Sequence, residues 1–235
     1  MVVLSSTDKD VRLVGEGGNS WVYILEREYN GMRSAAIKVP KAFVECRVTE
    51  ALENYHILKN LGIKTTVFLE ECLFDGQRAL ITENLHKEEY VYLDANAHLQ
   101  TEADRMLMKL NPRNSEMHSA KEPEEERMFA DNKFERITNF PAFVKEHLAL
   151  LKRISEAHIF LAYDCYFFKV ERKKATDIDY IIADWDDILR YYEDDLFEKN
   201  KEEFISSLWQ FVYKYVDEMS AGKYFCFLKE IKQLA

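Results

Sequence analysis

Short segments of this sequence carry residue types that could bind a phosphate group. The first segment, over residues 15–22, contains these small or apolar residues: Gly15, Gly17, Gly18, Ser20 and Val22. Small residues between two strands let backbone N–H groups approach phosphate oxygens closely. A glycine-rich hairpin turn without a ligand would explain the same residues. A Rossmann-type site is disfavoured because no helix follows the glycines.

The second segment, Ala36-Ile37-Lys38, ends an apolar strand with a lysine. After a glycine-rich hairpin, this lysine could reach the α and β phosphates of a nucleotide, although lysines are also common at sheet edges. The helix expected after this strand carries Glu50 and Glu53, and one of these carboxylates could pair with Lys38. Both glutamates could equally face water, as most helical glutamates do.

Two further segments place carboxylates beside apolar residues. An apolar strand runs into Asp184, Asp186 and Asp187, and clustered carboxylates repel each other unless a cation or a basic partner is present. Hard oxygen ligands suit Mg²⁺, whereas a helix start with Asp186 or Asp187 as the N-cap is the alternative. Asp164 lies in an apolar and aromatic stretch, where a lone charge is costly unless it is hydrogen-bonded or functional.

Five strands and a helix are predicted to position the first two segments. The strands cover residues 11–14, 21–25, 35–39, 65–69 and 78–82. Asn30-Gly31 and Asp75-Gly76 predict tight hairpin turns, because both residue pairs tolerate positive φ. Apolar residues at three- and four-residue spacing predict a helix that ends near Gly62. Residues 1–85 are therefore expected to form a mostly antiparallel sheet with one helix, which is an α+β arrangement.

The rest of the chain, residues 86–235, is expected to form a reduced, mainly helical lobe. Helices are predicted over 102–110, 143–158 and 202–219, and residues 159–188 are predicted to form a loop, a short hairpin and a second loop. Residues 111–135 contain few large apolar side chains, which predicts a flexible insertion. Its acidic run at residues 122–126 could also be a docking tail.

Composition excludes several functional classes. The 235 residues are 47% hydrophobic and carry a net charge of −10, which indicates a globular chain and argues against nucleic acid or an anionic membrane as a partner. No long apolar run, leader peptide or paired cysteines are seen, so a cytoplasmic protein with reduced thiols is expected. Residues 177–203 contain eleven acids and three bases, which suggests a site that attracts cations.

The ordered set of segments, over roughly residues 10–215, resembles the protein-kinase-like superfamily. The resemblance implies a two-lobed fold with an antiparallel-sheet N-lobe and a truncated C-lobe. It implies that residues 15–22 are the glycine-rich loop, that Lys38 binds phosphates and that Glu53 or Glu50 pairs with this lysine. The register set by Leu58 and Leu61 places the position of that glutamate nearest Asn54.

The resemblance also implies an adenine site and catalytic aspartates. Residues lining the adenine site would include Ala36, Thr82, Glu83 and Leu85. Asp164 would be the catalytic aspartate and Asp184 a metal ligand, with Asp186 as a second ligand. The sequence departs from the family at Ala162, Tyr163 and Lys169, where the family has the catalytic histidine, the catalytic arginine and a metal-binding asparagine. The string around Asp184 is closer to RIO-type kinases and to antibiotic or small-molecule phosphotransferases.

Two functions follow from this resemblance. The first is an ATP- and Mg²⁺-dependent phosphotransferase that moves the γ-phosphate to the hydroxyl group of an unknown small molecule or protein. The second is a pseudokinase-like module that binds nucleotide or acts as a scaffold without phosphate transfer. The missing asparagine and the altered catalytic loop favour the second function.

Overall fold

The computed structural model describes residues 1–16, 20–41, 47–85, 90–94, 124–162, 165–171, 173–185 and 188–233. These residues form two compact units. The first unit contains residues 1–49 and 67–84, and the second contains residues 50–66, 85–94 and the described residues from 125 onward. Among the described residues, no helix has the length and apolar character needed to cross a membrane.

A six-stranded sheet forms the first unit. Its strands in chain order are β1 (Val2–Leu4), β2 (Val11–Glu16), β3 (Ser20–Leu25), β4 (Ala35–Pro40), β5 (Phe68–Phe74) and β6 (Gln77–Glu83). Their order across the sheet is β1-β5-β6-β4-β3-β2, and every neighbouring pair is antiparallel except β1 with β5. The expectation of five strands is wrong, because β1 adds a parallel edge strand that three consecutive apolar residues do not reveal by alternation.

Turn chemistry closes two of the hairpins as the sequence predicts. Asn30 and Gly31 have φ of 48° and 78°, and Asp75 and Gly76 have φ of 49° and 83°. Two successive residues with positive φ give the turn whose twist matches that of the flanking strands. The strand expected over 65–69 begins later, at Phe68.

Alternation along the strands separates the sheet of the first unit into two different faces. One face carries a largely aliphatic core, which contains Leu4, Leu25, Ala35, Ile37, Val39, Cys72, Phe74, Ala79 and Ile81. Successive side chains of a strand point to opposite faces, so Ala36 and Lys38 lie on the face opposite Ile37. Burial raises the pKa of the Cys72 thiol to about 12, with Glu70 and Glu71 adding to the effect.

Five helices are found in the described part of the chain: α1 (Arg47–Asn60), α2 (Glu124–Asp131), α3 (Phe140–Glu156), α4 (Leu196–Tyr215) and α5 (Glu218–Gln233). The helix expected after Lys38 is α1, and its residues from Glu50 onward belong to the second unit. Helix α3 begins three residues before the predicted 143–158 range and ends two residues before the end of that range. The helix expected over 102–110 lies outside the described residues. So do residues 111–123 of the expected insertion, whereas residues 124–131 of that segment form α2.

Short strands connect the helices of the second unit. They are β7 (Tyr90–Asp94), β8 (Arg136–Ile137), β9 (Ile159–Leu161), β10 (Tyr166–Glu171), β11 (Ala175–Thr176), β12 (Asp179–Ile182) and β13 (Ile188–Arg190). The central strand β10 pairs antiparallel with both β7 and β12. The hairpin predicted within residues 159–188 is therefore confirmed as β10 and β12.

Aromatic side chains fill the core of the second unit. Those that are less than 2% exposed are Phe134, Phe140, Tyr166, Phe168, Phe204, Phe211 and Tyr215. His147 of α3 lies among them, with its ring centroid 4.0 Å from that of Phe204 and its Nε2 3.2 Å from the Tyr166 hydroxyl. Burial, with a smaller contribution from Lys64, lowers the pKa of His147 to about 3.

Candidate functional site

Cross-strand pairing brings the predicted nucleotide-binding residues of the first unit onto one face of its sheet. Lys38 lies between Val22 of β3 and Leu80 of β6 in the ladder. Two rows along the same strand, Ala36 lies between Ile24 and Thr82. Directly paired residues on neighbouring strands point their side chains to the same side of a sheet. Lys38 therefore lies directly between two apolar residues, and the same rows continue to Glu71 of β5, which pairs with Leu80, and to Arg12 of β2, which pairs with Ile24.

The glycine-rich segment is anchored by the strands on either side of it. Gly15 pairs with Val22, and a β-carbon added at Gly15 would meet no atom within 4 Å, so open space lies above this part of β2. Ser20 begins β3, is 5% exposed and pairs with Pro40. Gly17 and Gly18 lie outside the described residues.

The predicted adenine-lining residues divide between the two units. Thr82 is half-buried on β6, while Leu85 is half-buried and belongs to the second unit. Glu83 is 8% exposed, and its Oε1 accepts a hydrogen bond of 3.0 Å from the backbone N–H of Val67. The carboxylate of Glu83 therefore holds the start of β5 against the end of β6.

Helix α1 has an exposed face and a buried face. Glu50 and Glu53 are exposed, while Ala51, Tyr55 and Leu58 are buried. Asn54 is half-buried and donates hydrogen bonds from Nδ2 to the carbonyl oxygens of Trp185 (2.8 Å) and Ile188 (3.1 Å). The position that the register of α1 assigns to the family's glutamate is thus occupied by an asparagine that binds backbone.

The segment around Asp184 follows β12 directly. Asp184 is half-buried, and the next residue, Trp185, is 3% exposed. Trp185 packs its ring 4.7 Å from that of Tyr55 and donates from Nε1 to the hydroxyl of Thr65 at 2.6 Å. The same hydroxyl donates to the carbonyl oxygen of Ile182 at 2.9 Å. Asp186 lies outside the described residues, as does Asp187.

The segment predicted to be the catalytic loop is short. Asp164 lies outside the described residues, but its neighbour Cys165 is buried and its carbonyl oxygen accepts a hydrogen bond of 3.2 Å from the N–H of Ala183. The residue before Asp184 therefore lies beside the residue after Asp164. Lys169 lies inside β10, where it pairs with Asp179 and Tyr92. It is part of a strand and not of a loop.

The donor set of the second unit fits a magnesium ion that is also bound by phosphate. Asp184 supplies one half-buried carboxylate, and Mg²⁺ is usually bound through one or two carboxylates together with substrate phosphates and water. Across the described ranges, no group of three or more His, Cys, Asp or Glu side chains is arranged to hold a metal by itself.

Comparisons with known proteins find similarity among solved structures. No family model and no curated protein matches the chain. Among solved structures, the chain is similar to the crystal structure of the Helicobacter pylori proinflammatory kinase CtkA, at 16% identity and a TM-score of 0.42, over 88% of this chain and 68% of that chain. The α+β class of the present protein rests on its own strands, helices and registers, and the element order from β2 to β6 is the one that the sequence resemblance implies.

Proposed function

We propose that the protein is an ATP- and Mg²⁺-dependent phosphotransferase. The observation that carries the proposal is the arrangement on the first unit's sheet, where Lys38, paired with Val22, and Ala36, paired with Thr82, lie two ladder rows apart on the same face. A lysine among small and apolar neighbours, beside a glycine-containing hairpin, can bind the charged phosphates of a nucleotide while its base lies on an uncharged surface.

Each unit contributes separate groups to the proposed reaction. In the first unit, the ammonium group of Lys38 and backbone N–H groups near Gly15 would bind the phosphates. In the second unit, Asp184 would hold Mg²⁺, which neutralises charge on the transferred group when it is bound. The oxygen of an acceptor hydroxyl would form a bond to the γ-phosphorus of ATP. The bond between the γ-phosphorus and the bridging oxygen would break, and ADP would leave. Asp164 would accept the hydroxyl proton.

Thermal unfolding with ATP tests the nucleotide site. The wild-type chain is expected to show a rise in melting temperature with ATP that increases with Mg²⁺, because a ligand stabilises the folded state by about 2.7 kcal/mol at one hundred times its Kd. Lys38→Ala is expected to remove most of this rise. Lys9→Ala provides the matched control, since Lys9 is exposed in the same unit.

Phosphate transfer is tested separately by the conversion of ATP to ADP. Asp164→Ala and Asp184→Ala are expected to abolish the conversion, with circular dichroism showing that the variants remain folded. Unchanged ATP turnover in both variants would contradict the proposal. A wild-type melting temperature that does not change with ATP and Mg²⁺ at millimolar concentrations would contradict it as well.

A pseudokinase-like binding module is the second candidate, and the position of Lys169 favours it. Lys169 lies five residues after Asp164, but it is enclosed in β10 between two neighbouring strands. The short connection therefore gives no loop position equivalent to the family's metal-binding asparagine. Nucleotide-dependent stabilisation without Mg²⁺ dependence and without ATP turnover would support this candidate over the enzyme.

A further inference from the structure

Asn54 of helix α1 donates hydrogen bonds to two backbone carbonyl groups of a short acidic segment. We define the acidic loop as residues 183–188, which contain Asp184, Asp186 and Asp187. The side-chain nitrogen of Asn54 donates to the carbonyl oxygen of Trp185 at 2.8 Å and to that of Ile188 at 3.1 Å. These two acceptors lie on either side of residues 186 and 187. One side-chain amide therefore links the carbonyl groups of Trp185 and Ile188 to helix α1.

Trp185 provides a second attachment of the acidic loop to the same part of the fold. Its ring packs against Tyr55, the residue that follows Asn54 in α1. Its indole N–H donates to Thr65, and the Thr65 hydroxyl donates to Ile182 at the end of β12. The start of the loop is thus held by one buried ring and by a chain of hydrogen bonds.

The chemistry of its amide group suits Asn54 to this contact. An amide group can donate two hydrogen bonds to carbonyl oxygens without adding charge. Glutamate or aspartate at position 54 would be an acceptor only and would place another negative charge beside the loop. The structure therefore accounts for asparagine in place of the glutamate that the family resemblance implies.

We propose that Asn54 is a positioning residue, which holds the acidic loop in the conformation in which Asp184 binds a divalent cation. This inference rests on the proposed function for the identity of the cation. The attachment itself rests on the hydrogen bonds of Asn54 and Trp185. Asn54 contacts neither nucleotide nor metal in this role, and it acts through the backbone of the loop.

Hydrogen exchange in the absence of nucleotide and metal tests the attachment. Asn54→Asp keeps the size of the side chain but removes both donated hydrogen bonds. Peptides covering residues 183–191 are expected to exchange about thirtyfold faster in this variant, because the two lost hydrogen bonds to backbone groups together cost about 2 kcal/mol of local stability. Peptides from α3 are expected to exchange as in the wild-type chain, which shows that the unit remains folded.

Asn139→Asp is the matched control. The side chain of Asn139 also binds backbone in the second unit. Its Nδ2 donates to the carbonyl oxygen of Ile178, and its Oδ1 accepts from the N–H of Ile178, both at 2.9 Å. Its substitution removes one amide donor without touching the acidic loop. Exchange of residues 183–191 is expected to remain at the wild-type rate. Equal rates in the Asn54→Asp and wild-type chains would overturn the inference.

The Mg²⁺ dependence of thermal stabilisation by ATP tests the positioning role. Asn54→Asp is expected to raise the Mg²⁺ concentration for the half-maximal shift about tenfold, whereas stabilisation by ATP without Mg²⁺ remains unchanged. A merely structural role would lower the melting temperature equally at every Mg²⁺ concentration, and that result would overturn the positioning role. A wild-type chain without any Mg²⁺-dependent shift would instead overturn the proposed function, and the exchange rates would still decide whether Asn54 holds the loop.

Discussion

The two units of the protein build their cores from different kinds of side chain. In the first unit, the buried core described above is mostly aliphatic, and Phe74 is the one aromatic residue among its nine members. Among the described residues of the second unit, seven aromatic side chains are less than 2% exposed, and the polar side chains of His147 and Asn200 are buried as well. Aliphatic chains contribute through apolar area alone, whereas buried polar groups must also be hydrogen-bonded.

This difference predicts that the two units respond to different perturbations. The stability of the first unit depends on how completely its sheet face is packed, because a cavity in a dense aliphatic core lowers the free energy of unfolding. The stability of the second unit depends also on hydrogen bonds and on the protonation of His147. Substitutions that remove volume, hydrogen bonds or charge should therefore separate the two units experimentally.

Removing volume from the first unit should have the largest effect. Ile37→Ala is expected to lower the free energy of unfolding of this unit by about 2–5 kcal/mol, since Ile37 is completely buried in the aliphatic core. Urea unfolding followed by circular dichroism measures the loss.

The adjacent residue gives the control for this prediction. Lys38→Ala changes the opposite face of the same strand and is expected to cost about 1 kcal/mol or less. Similar losses in the two variants would show that the two faces of the sheet are not energetically distinct.

Removing hydrogen bonds from the second unit should have the next largest effect. Asn200 is fully buried; it accepts from the N–H of Leu161 and donates to the carbonyl oxygen of Ile159, both at 2.8 Å. Asn200→Ala leaves both backbone groups without this partner and is expected to cost about 2–3 kcal/mol. Asn132→Ala is the control, because Asn132 makes a single exposed hydrogen bond. Equal unfolding midpoints in urea for the two variants would contradict the prediction.

Acidification should destabilise the second unit through His147. Its folded-state pKa is about 3, below the usual 6.5, so this histidine stabilises the fold above pH 6.5 and loses that contribution as the pH falls toward 3. Within this window, the expected loss is about 1.4 kcal/mol for each pH unit. Tyr166 and Tyr180 also face the ring, and burial raises the pKa of both, so neither ionises in this range.

Comparison of unfolding at pH 7, 6 and 5 isolates this contribution. His147→Gln retains a group that can hydrogen-bond Tyr166 and is expected to show a shallower dependence of unfolding free energy on pH. His56→Gln is the control, since His56 is exposed on α1. If His147→Gln keeps the pH dependence of the wild-type chain, buried carboxylates and not His147 govern the acid sensitivity.

Local pattern was sufficient to predict the elements that carry the candidate residues. Short runs of apolar, β-branched and aromatic residues and the residue pairs Asn30-Gly31 and Asp75-Gly76 predicted the central strands and their turns, because both signals depend on neighbouring residues only. The same reasoning correctly placed Lys38 in β4 and Asp184 directly after β12. The functional roles that the sequence assigns to Lys38 and Asp184 remain predictions.

Long-range contacts account for what the sequence did not reveal. The role of Asn54 depends on carbonyl groups about 130 positions later in the chain, and a backbone acceptor leaves no mark on residue type. Similarly, α1 was predicted as a helix, but its place in the second unit depends on contacts of Asn54 and Tyr55 with Trp185. The place of Lys169 within a strand is a further example, because a spacing counted from Asp164 does not reveal that β10 begins two residues after it.

The parallel edge strand β1 has a consequence for the order of events in folding. Val2 pairs with Cys72, and Ser5 donates to Asp75, which lies seventy positions later. Hairpins between β2 and β3 or between β5 and β6 close short loops and can form within microseconds, whereas β1 must wait for a much longer loop to close. During synthesis on the ribosome, β1 therefore remains without its partner until β5 has emerged.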